Sequence, residues 1–240
     1  MEFHVDGKTI YRYSMPAIGS NMYAILADRQ ALVIDPHSSE EALALLRLHS
    51  VQKATILLTH EHYDHISGVN WLRESFQTEI ICSAVCAQML PDPDRNMARY
   101  WKILLMDKSQ EAQSAGMTRY DPDYTCVADR TYERETEFLW QGLRVRMRQA
   151  PGHSKGGSLI WLDGNILFSG DNLVNGSGVI CRFPGGSKRE YANVTRPILE
   201  ELPDELHVLP GHGEPGRLGE LRKYMELFGT TDRENQREAR

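Results

Sequence analysis

The sequence lacks the features that mark membrane-spanning, secreted and disulfide-rich proteins. Its 240 residues contain no apolar run near the ~18 residues that a membrane span needs. The first ten residues alternate charged with single apolar residues, which is unlike a secretory signal. There are only four cysteines and no CxxC pair, so we interpret them as free thiols or buried small apolar residues. We therefore expect a cytoplasmic protein with no membrane partner.

Basic residues are also scarce. The chain has 27 Lys and Arg against 33 Asp and Glu, a formal net charge of -6, and its basic residues are spread along the sequence. Binding to nucleic-acid phosphates needs clustered Lys and Arg. The alternating arginines of residues 143–148 are typical of one solvated face of a strand. We expect a small-molecule substrate and no nucleic acid, and the oligomeric state is left open.

The hydrophobic pattern predicts one α/β domain over residues 1–240. The hydrophobic fraction of 41% and the charged fraction of 25% are those of a globular protein. A helix is expected after Ser38 or Ser39, with Glu40 and Glu41 in its first turn. Further helices are predicted over residues 68–76, 193–202 and 218–228. Strands are predicted over residues 20–27, 31–35, 54–59, 79–82, 138–140, 143–149, 158–162, 166–169 and 207–209.

Two segments depart from this alternation of strands and helices. Residues 88–130 contain three prolines and scattered aromatic residues, which predicts a helical excursion packed onto the main domain. Residues 229–240 are polar and are predicted to be a frayed tail. With no internal repeat and no low-complexity linker, the pattern favours a single domain.

A dense histidine motif follows the predicted strand of residues 54–59. Residues two apart point the same way in an extended chain, so His60 and His62 can reach one metal ion. Asp64 and His65 would then turn toward another ion. Histidine and carboxylate side chains at this spacing are typical of a metal site, whereas a buried core histidine seldom stands beside turn residues.

Three later motifs supply further candidate ligands. His153 in a Pro-Gly-His triplet and His212 in Pro-Gly-His-Gly each follow a predicted strand, and each could complete one set of ligands. Asp171 follows an apolar strand directly and is the candidate to bridge two ions. The neighbouring glycines permit the close backbone approach that such a site requires.

These motifs resemble those of the metallo-β-lactamase superfamily, and in particular its glyoxalase II-like branch. The resemblance covers roughly residues 21–218 and rests on residues 33–36, 59–65, 151–154, 169–171 and 210–213. It implies an α/β fold, the four-layer αββα sandwich, with metals at one edge of the two sheets. It further implies a first metal on His60, His62 and His153. The second metal would lie on Asp64, His65 and His212, with Asp171 bridging both.

The function that this resemblance implies is that of a binuclear metal-dependent hydrolase. Two divalent ions, zinc first and iron or manganese as alternatives, would activate a hydroxide and polarise the scissile carbonyl. A thioester is the first expected substrate and a lactone the second. Asp64 is the expected catalytic residue, as a ligand that also accepts the proton of the nucleophilic water.

Other activities stay open at this point. Sulfur dioxygenases of the same branch resemble this chain and would carry a single iron on His60, His153 and Asp171. Phosphodiester hydrolysis uses the same binuclear centre, but the chain has no obvious basic arm for nucleic acid. A non-catalytic sensor would have lost metal ligands, and none is lost here. Glyoxalase II proper also carries a helical glutathione-binding domain after its last metal histidine, where this chain has only residues 213–240.

Three residues stand outside the family pattern. Lys155 occupies a position where many relatives have proline, and it would either pair with an anionic substrate group or be solvated. His37 replaces a usual glycine, either as a partner of the site or with no role. Arg182 could face the substrate from the loop of residues 181–187.

Overall fold

The computed structural model describes residues 1–228, which form two packed β-sheets. The first sheet has its strands in chain order, with β1 to β4 antiparallel and β4 to β7 parallel. Its strands are β1 (Glu2–Val5), β2 (Lys8–Ser14), β3 (Asn21–Ala27), β4 (Gln30–Ile34), β5 (Lys53–Leu57), β6 (Gln77–Ser83) and β7 (Arg130–Tyr132). The second sheet runs in the order β13-β12-β11-β10-β9-β8. Its strands are β8 (Glu135–Trp140), β9 (Leu143–Gln149), β10 (Ser158–Leu162), β11 (Ile166–Gly170), β12 (His207–Pro210) and β13 (Gly216–Arg217).

Helices cover the outer face of each sheet. The helices are α1 (Glu40–Leu48), α2 (Tyr63–Ile66), α3 (Val69–Ser75), α4 (Ala84–Met89), α5 (Trp101–Leu105), α6 (Gln110–Met117), α7 (Lys188–Glu190), α8 (Arg196–Glu200) and α9 (Leu218–Leu221). Within residues 1–228, no helix has the length and hydrophobicity to cross a membrane. The chain therefore folds as the four-layer αββα sandwich that the sequence predicts.

Alternation along the strands builds the layers. In β3 and β4, Ala24 and Val33 face the helices α1 and α3, whereas Tyr23 and Ile34 face the second sheet. Successive side chains of a strand point to opposite faces, so each of these largely buried strands contributes to two apolar clusters. A third cluster lies between the second sheet and helices α8 and α9.

The first helix follows from its sequence as predicted. The Ser39 side chain accepts a hydrogen bond from the Ala42 backbone N–H at 3.2 Å, so it caps the helix. Glu40 and Glu41 lie in the first turn, at the positive end of the helix dipole. Leu43 and Leu46 are buried against the first sheet, and the helix thereby fixes the strand connection that precedes the site.

Several elements differ from the sequence-based expectation. The last helix is shorter than predicted, because α9 is followed by only one 3-10 turn. The next segment pairs with Val179 instead: the Val179 N–H donates to the Glu226 carbonyl, and the Phe228 N–H donates to the Val179 carbonyl. The helix predicted at residues 193–202 begins earlier, at a Ser187 cap, and passes through a π turn at Tyr191–Thr195. The helix predicted for residues 68–76 is present as α3, and a further short helix, α2, precedes it without having been predicted. The predicted tail at residues 229–240 lies outside the described residues.

Because Gly68 has no side chain, the turn between α2 and α3 can pack closely against the loop after β4. A Cβ at this position would lie 2.7–2.8 Å from the backbone of His37, and the Gly68 N–H donates to the Pro36 carbonyl at 2.8 Å. We expect Gly68→Ala to lower the free energy of unfolding by about 1–3 kcal/mol through overpacking. Urea unfolding measures this, with Gly219→Ala as the control, since its Cβ meets only the exposed Asp204 side chain.

Candidate metal centre

The loops that follow strands of both sheets deliver the seven candidate ligands to one edge of the sandwich. The loop after β5 carries His60 and His62 and leads into α2, on which Asp64 and His65 lie. In the second sheet, the loops after β9, β11 and β12 carry the remaining three, His153, Asp171 and His212. The structure thus brings together all seven residues that the sequence singled out.

Three buried histidines form the first group, which we call the histidine group: His60, His62 and His153. One nitrogen from each lies within 4.8 Å of the others, and His153 Nε2 is 3.0 Å from His62 Nδ1. The His153 Nδ1–H donates to the Ile180 carbonyl at 2.7 Å. The Nδ1 of His60 bonds the Thr59 hydroxyl at 3.0 Å. These outer bonds orient the rings and leave Nε2 of His60 and His153 as lone-pair donors.

The second group, which we call the acidic group, consists of Asp64, His65 and His212. Asp64 Oδ2 lies 3.1 Å from His65 Nε2 and 3.3 Å from His212 Nε2. Asp171 reaches both groups, because its carboxylate oxygens lie 3.4 Å from His65, 3.4 Å from His212 and 3.5 Å from His153. The two groups are therefore joined through one carboxylate.

Lowered pKa values keep the three side chains of the histidine group in the neutral form. Burial lowers the pKa of His60 well below its usual range and, together with the neighbouring His153, lowers the pKa of His62 to about 3. Burial also lowers the pKa of His153. Neutral imidazole is the form that binds metal ions, so these three side chains need release no proton to do so.

The acidic group has the opposite electrostatics. Burial disfavours charge on its histidines, but Asp64 and Asp171 overcome it: they raise the pKa of His65 well above its usual value and that of His212 to about 10. Despite burial, the positive histidines hold the pKa values of both aspartates well below their usual range. Positive charge is thus favoured between these carboxylates, and a divalent cation would supply it in place of the two protons.

Four buried polar atoms of the centre make no hydrogen bond among residues 1–228: Nε2 of His60, His62 and His65 and Oδ1 of Asp171. His65 Nε2 has only charge contacts, with the Asp64 and Asp171 carboxylates at 3.1 and 3.4 Å. Buried polar atoms are nearly always satisfied, so unpartnered atoms that converge on one place call for a bound group. Three nitrogen atoms and a carboxylate oxygen are donors that transition-metal ions accept, and the residues therefore fit a metal.

Asp35 is a residue of the site that was not among the predicted ligands. It lies at the end of β4 with a positive φ of 51°, is buried, and accepts hydrogen bonds from the Thr59 N–H at 2.7 Å, the Thr59 hydroxyl and His65 Nδ1 at 3.1 Å. Its oxygens are thus occupied in orienting His65 rather than in binding a metal. The signal in the sequence is the Val-Ile-Asp-Pro motif, which carries the family resemblance.

A second buried carboxylate, Glu61, ties the histidine motif to the loop that carries His153. It accepts the Ser154 hydroxyl at 3.1 Å and the Gly156 N–H at 3.4 Å. Burial raises its pKa to about 7. On the far side of the same loop, Thr195 of the π turn donates its hydroxyl to the Pro151 carbonyl at 2.5 Å. The position of His153 is therefore held from two directions.

Among residues 1–228, none of the three residues outside the family pattern has a hydrogen bond or an ion pair with a candidate ligand. His37 is buried and bonds the Tyr13 and Ser38 carbonyls at 3.1 and 3.2 Å, so it joins β2 to the loop after β4. Lys155 is exposed. Arg182 is also exposed, and its guanidinium stacks over the Phe228 ring at 5.6 Å.

Comparisons with known proteins agree with this centre. The family model of the metallo-beta-lactamase superfamily matches residues 15–212. A probable metallo-hydrolase of Streptococcus pyogenes is 26% identical over 210 residues, which is 85% of this chain and 83% of the relative. A hydroxyacylglutathione hydrolase of Glaesserella parasuis is 28% identical over 82% of this chain and 68% of its own length.

A solved structure extends the likeness to the fold and to a metal. The protein TTHA1623, crystallised in a di-iron-bound form, superposes with a TM-score of 0.68 and 26% sequence identity. The alignment covers 90% of this chain and 98% of that one.

Proposed function

Because the chain belongs to the metallo-β-lactamase superfamily and is a metal-dependent hydrolase, we propose that it hydrolyses a carboxyl derivative, a thioester first and a lactone second. The observation that carries this proposal is the convergence of two donor groups joined by Asp171. The histidine group would hold one divalent ion and the acidic group a second, zinc first, with iron or manganese as alternatives. The name of the Glaesserella relative supports a thioester, since an acylglutathione is one.

The side chains of the centre have separate tasks. Bound divalent ions supply a water molecule of lowered pKa and polarise a carbonyl group. The ionised carboxylates of Asp64 and Asp171 would offset the charge of bound ions. Asp64 also lines the cavity above the centre, where its carboxylate can accept a proton from the attacking water. His65 and His212, 3.1 and 3.3 Å away, hold that carboxylate in place.

The reaction needs no co-reactant other than water. The water oxygen adds to the carbonyl carbon, the carbon–sulfur bond breaks, and the departing sulfur takes up a proton. The products are a carboxylate and a thiol, and the second proton of the water is released to solvent. For a lactone the ring carbon–oxygen bond breaks instead, and the product is a hydroxy acid.

The acidic group favours the hydrolase over the iron dioxygenase. A single iron on His60, His153 and Asp171 would not employ Asp64, His65 and His212. Yet these three lie as close together as the histidine group and are buried or nearly so. A complete second donor set is what a second ion requires.

We expect protein purified without added metal or chelator to contain close to two ions per chain, and removal of the ions with a chelator to abolish thioester hydrolysis. Elemental analysis and a thioester and lactone panel make the measurement, and activity should return when zinc, iron or manganese is added back. Close to one iron per chain, with oxygen uptake on a glutathione persulfide and no hydrolysis, would contradict the proposal and favour the dioxygenase.

A further inference from the structure

A cavity of about 300 Å³ opens directly above the candidate metal centre. Its floor consists of five of the proposed ligands: His62, Asp64, His153, Asp171 and His212. A substrate carbonyl that reaches the centre therefore carries the rest of the molecule into this space. The volume is at the small end of the range for ligand sites, and the walls bear on which substrate fits.

The two walls of the cavity are apolar. Met97, Trp101 and Leu104, from the helical excursion, form one side. Val174, Ile180 and Phe183, from the segment after β11, form the other. The Ser177 hydroxyl beside these walls already donates its proton to the Gly178 carbonyl at 3.1 Å. A polar group between the apolar side chains would lose water and gain no partner from them.

The excursion wall is fixed in place. The buried Asn96 amide donates to the Leu90 and Tyr124 carbonyls at 3.0 and 2.9 Å, and its oxygen accepts the Ala98 N–H at 2.9 Å. These bonds hold Met97 in the left-handed region, at a φ of 69°, which few non-glycine residues adopt. Met97 is thereby turned into the cavity wall, and the pocket keeps its shape without a bound substrate.

One cation stands at the mouth of this cavity. Lys108 follows α5 and is exposed, and among residues 1–228 its ammonium has no hydrogen-bond or ion-pair partner. Apart from the histidines of the floor, it is the one basic side chain among the described residues that line the cavity. It can pair with an anionic group that projects from the apolar space.

We propose that the cavity selects a thioester whose acyl group is apolar and whose remaining part carries a negative charge near Lys108. This inference rests on the proposed hydrolase function and specifies its substrate class. The apolar walls lie beyond the floor of proposed ligands, so the selection acts on the part of the acyl chain that extends past the carbon next to the carbonyl, where Leu104 and Phe183 offer no polar partner.

The first test compares acyl groups on one anionic thiol with the metal-loaded protein. We expect kcat/KM to rise roughly fourfold for each methylene group from acetyl to butyryl to hexanoyl, since each one is buried between apolar walls. The 6-hydroxyhexanoyl ester, whose hydroxyl group lies at the far end of the chain between the apolar walls, should be at least tenfold poorer than the hexanoyl ester. Equal rates for acetyl, hexanoyl and 6-hydroxyhexanoyl esters would overturn the inference and leave the hydrolase function intact.

Matched variants test whether the apolar walls cause the preference for long acyl groups and whether Lys108 causes the preference for an anionic thiol. Leu104→Ala should remove most of the preference for hexanoyl over acetyl, whereas Ile103→Ala should not, because Ile103 on the same helix is 63% exposed and does not line the cavity. Lys108→Met should lower kcat/KM about two- to fivefold for the anionic thiol, as expected for an exposed ion pair, and lower it less for a neutral thiol. Lys102→Met is the control, since Lys102 lies over the Tyr120 ring instead.

A binding measurement separates this inference from the proposed function. Non-hydrolysable S-hexyl and S-ethyl thioethers of the same anionic thiol are titrated into the protein by calorimetry. Tighter binding of the S-hexyl compound, weakened by Leu104→Ala and by Lys108→Met, supports the cavity assignment even if no thioester is hydrolysed. Equal binding of both compounds overturns it, and hydrolysis of the acetyl ester then shows that the hydrolase function survives.

Discussion

Asp171→Ala is expected to empty at least one of the two metal positions and to lower turnover by more than about 100-fold. Changes to residues that only orient metal ligands cost about 10–100-fold, and the loss of a bridging carboxylate should cost more. Asp171 lies 3.4–3.5 Å from histidines of both donor groups, and its Oδ1 has no other partner in the described part of the chain. Elemental analysis and steady-state turnover of a thioester measure the two effects together.

The control for this substitution is Asp204→Ala. Asp204 has 63% of its side chain exposed and pairs with Arg222 on the outside of the second sheet. That variant should keep both ions and full activity. An Asp171→Ala protein that retained two ions and normal turnover would remove the bridging role. Circular dichroism of both variants establishes that any loss is local.

The fold and the positions of the candidate ligands were predictable because both depend on local signals. Strands such as β9 and β10 carry continuous apolar or alternating patterns, and their observed bounds equal the predicted ones. His153 and His212 could be singled out because glycine and proline mark the ends of strands beside them. Residues at the ends of neighbouring strands meet at one edge of a sandwich, so the pattern also predicted that they converge.

The N-terminal hairpin of β1 and β2 was not predicted, although its signal is local. Asp6 and Gly7 both have positive φ, 48° and 75°, and the two strands pair on either side of them. An Asp-Gly pair between short strands is the sequence signal of a tight hairpin turn. The alternation around it is interrupted by charged residues such as Glu2 and Lys8, and these hide the strand pattern.

Other features were out of reach because they depend on contacts between distant residues. The π turn at Tyr191–Thr195 packs Tyr191 against Gly152 and bonds Pro151, about 40 residues earlier in the chain. The cavity walls join the excursion to the segment after β11, and neither segment alone indicates an apolar pocket. Periodicity identifies which side of an element is buried, but not which distant element covers it.

The hydrogen bond between Asp35 and His65 also joins residues that are far apart in the chain. The second of the two largest mutational effects is expected at Asp35. Asp35→Asn should weaken metal binding at the acidic group about 10–100-fold, because His65 loses the acceptor that orients it. Asparagine tolerates the positive φ of this position, so the backbone is not strained by the change. In Asp35, one oxygen accepts from the Thr59 hydroxyl and from His65, and the other accepts from the Thr59 N–H. The amide nitrogen of asparagine cannot take over either role, because it cannot accept a hydrogen bond.

Asp35→Asn should also destabilise the fold by about 3 kcal/mol, since a buried donor loses its partner whichever way the amide turns. Metal titration and urea unfolding of the metal-free protein measure the two effects separately. The matched control is Asp129→Asn, whose half-exposed carboxylate accepts the Ile80 N–H at 2.8 Å and an Arg73 N–H at 2.9 Å far from the centre. If Asp129→Asn lost as much metal affinity as Asp35→Asn, the orienting bond to His65 could not be the cause.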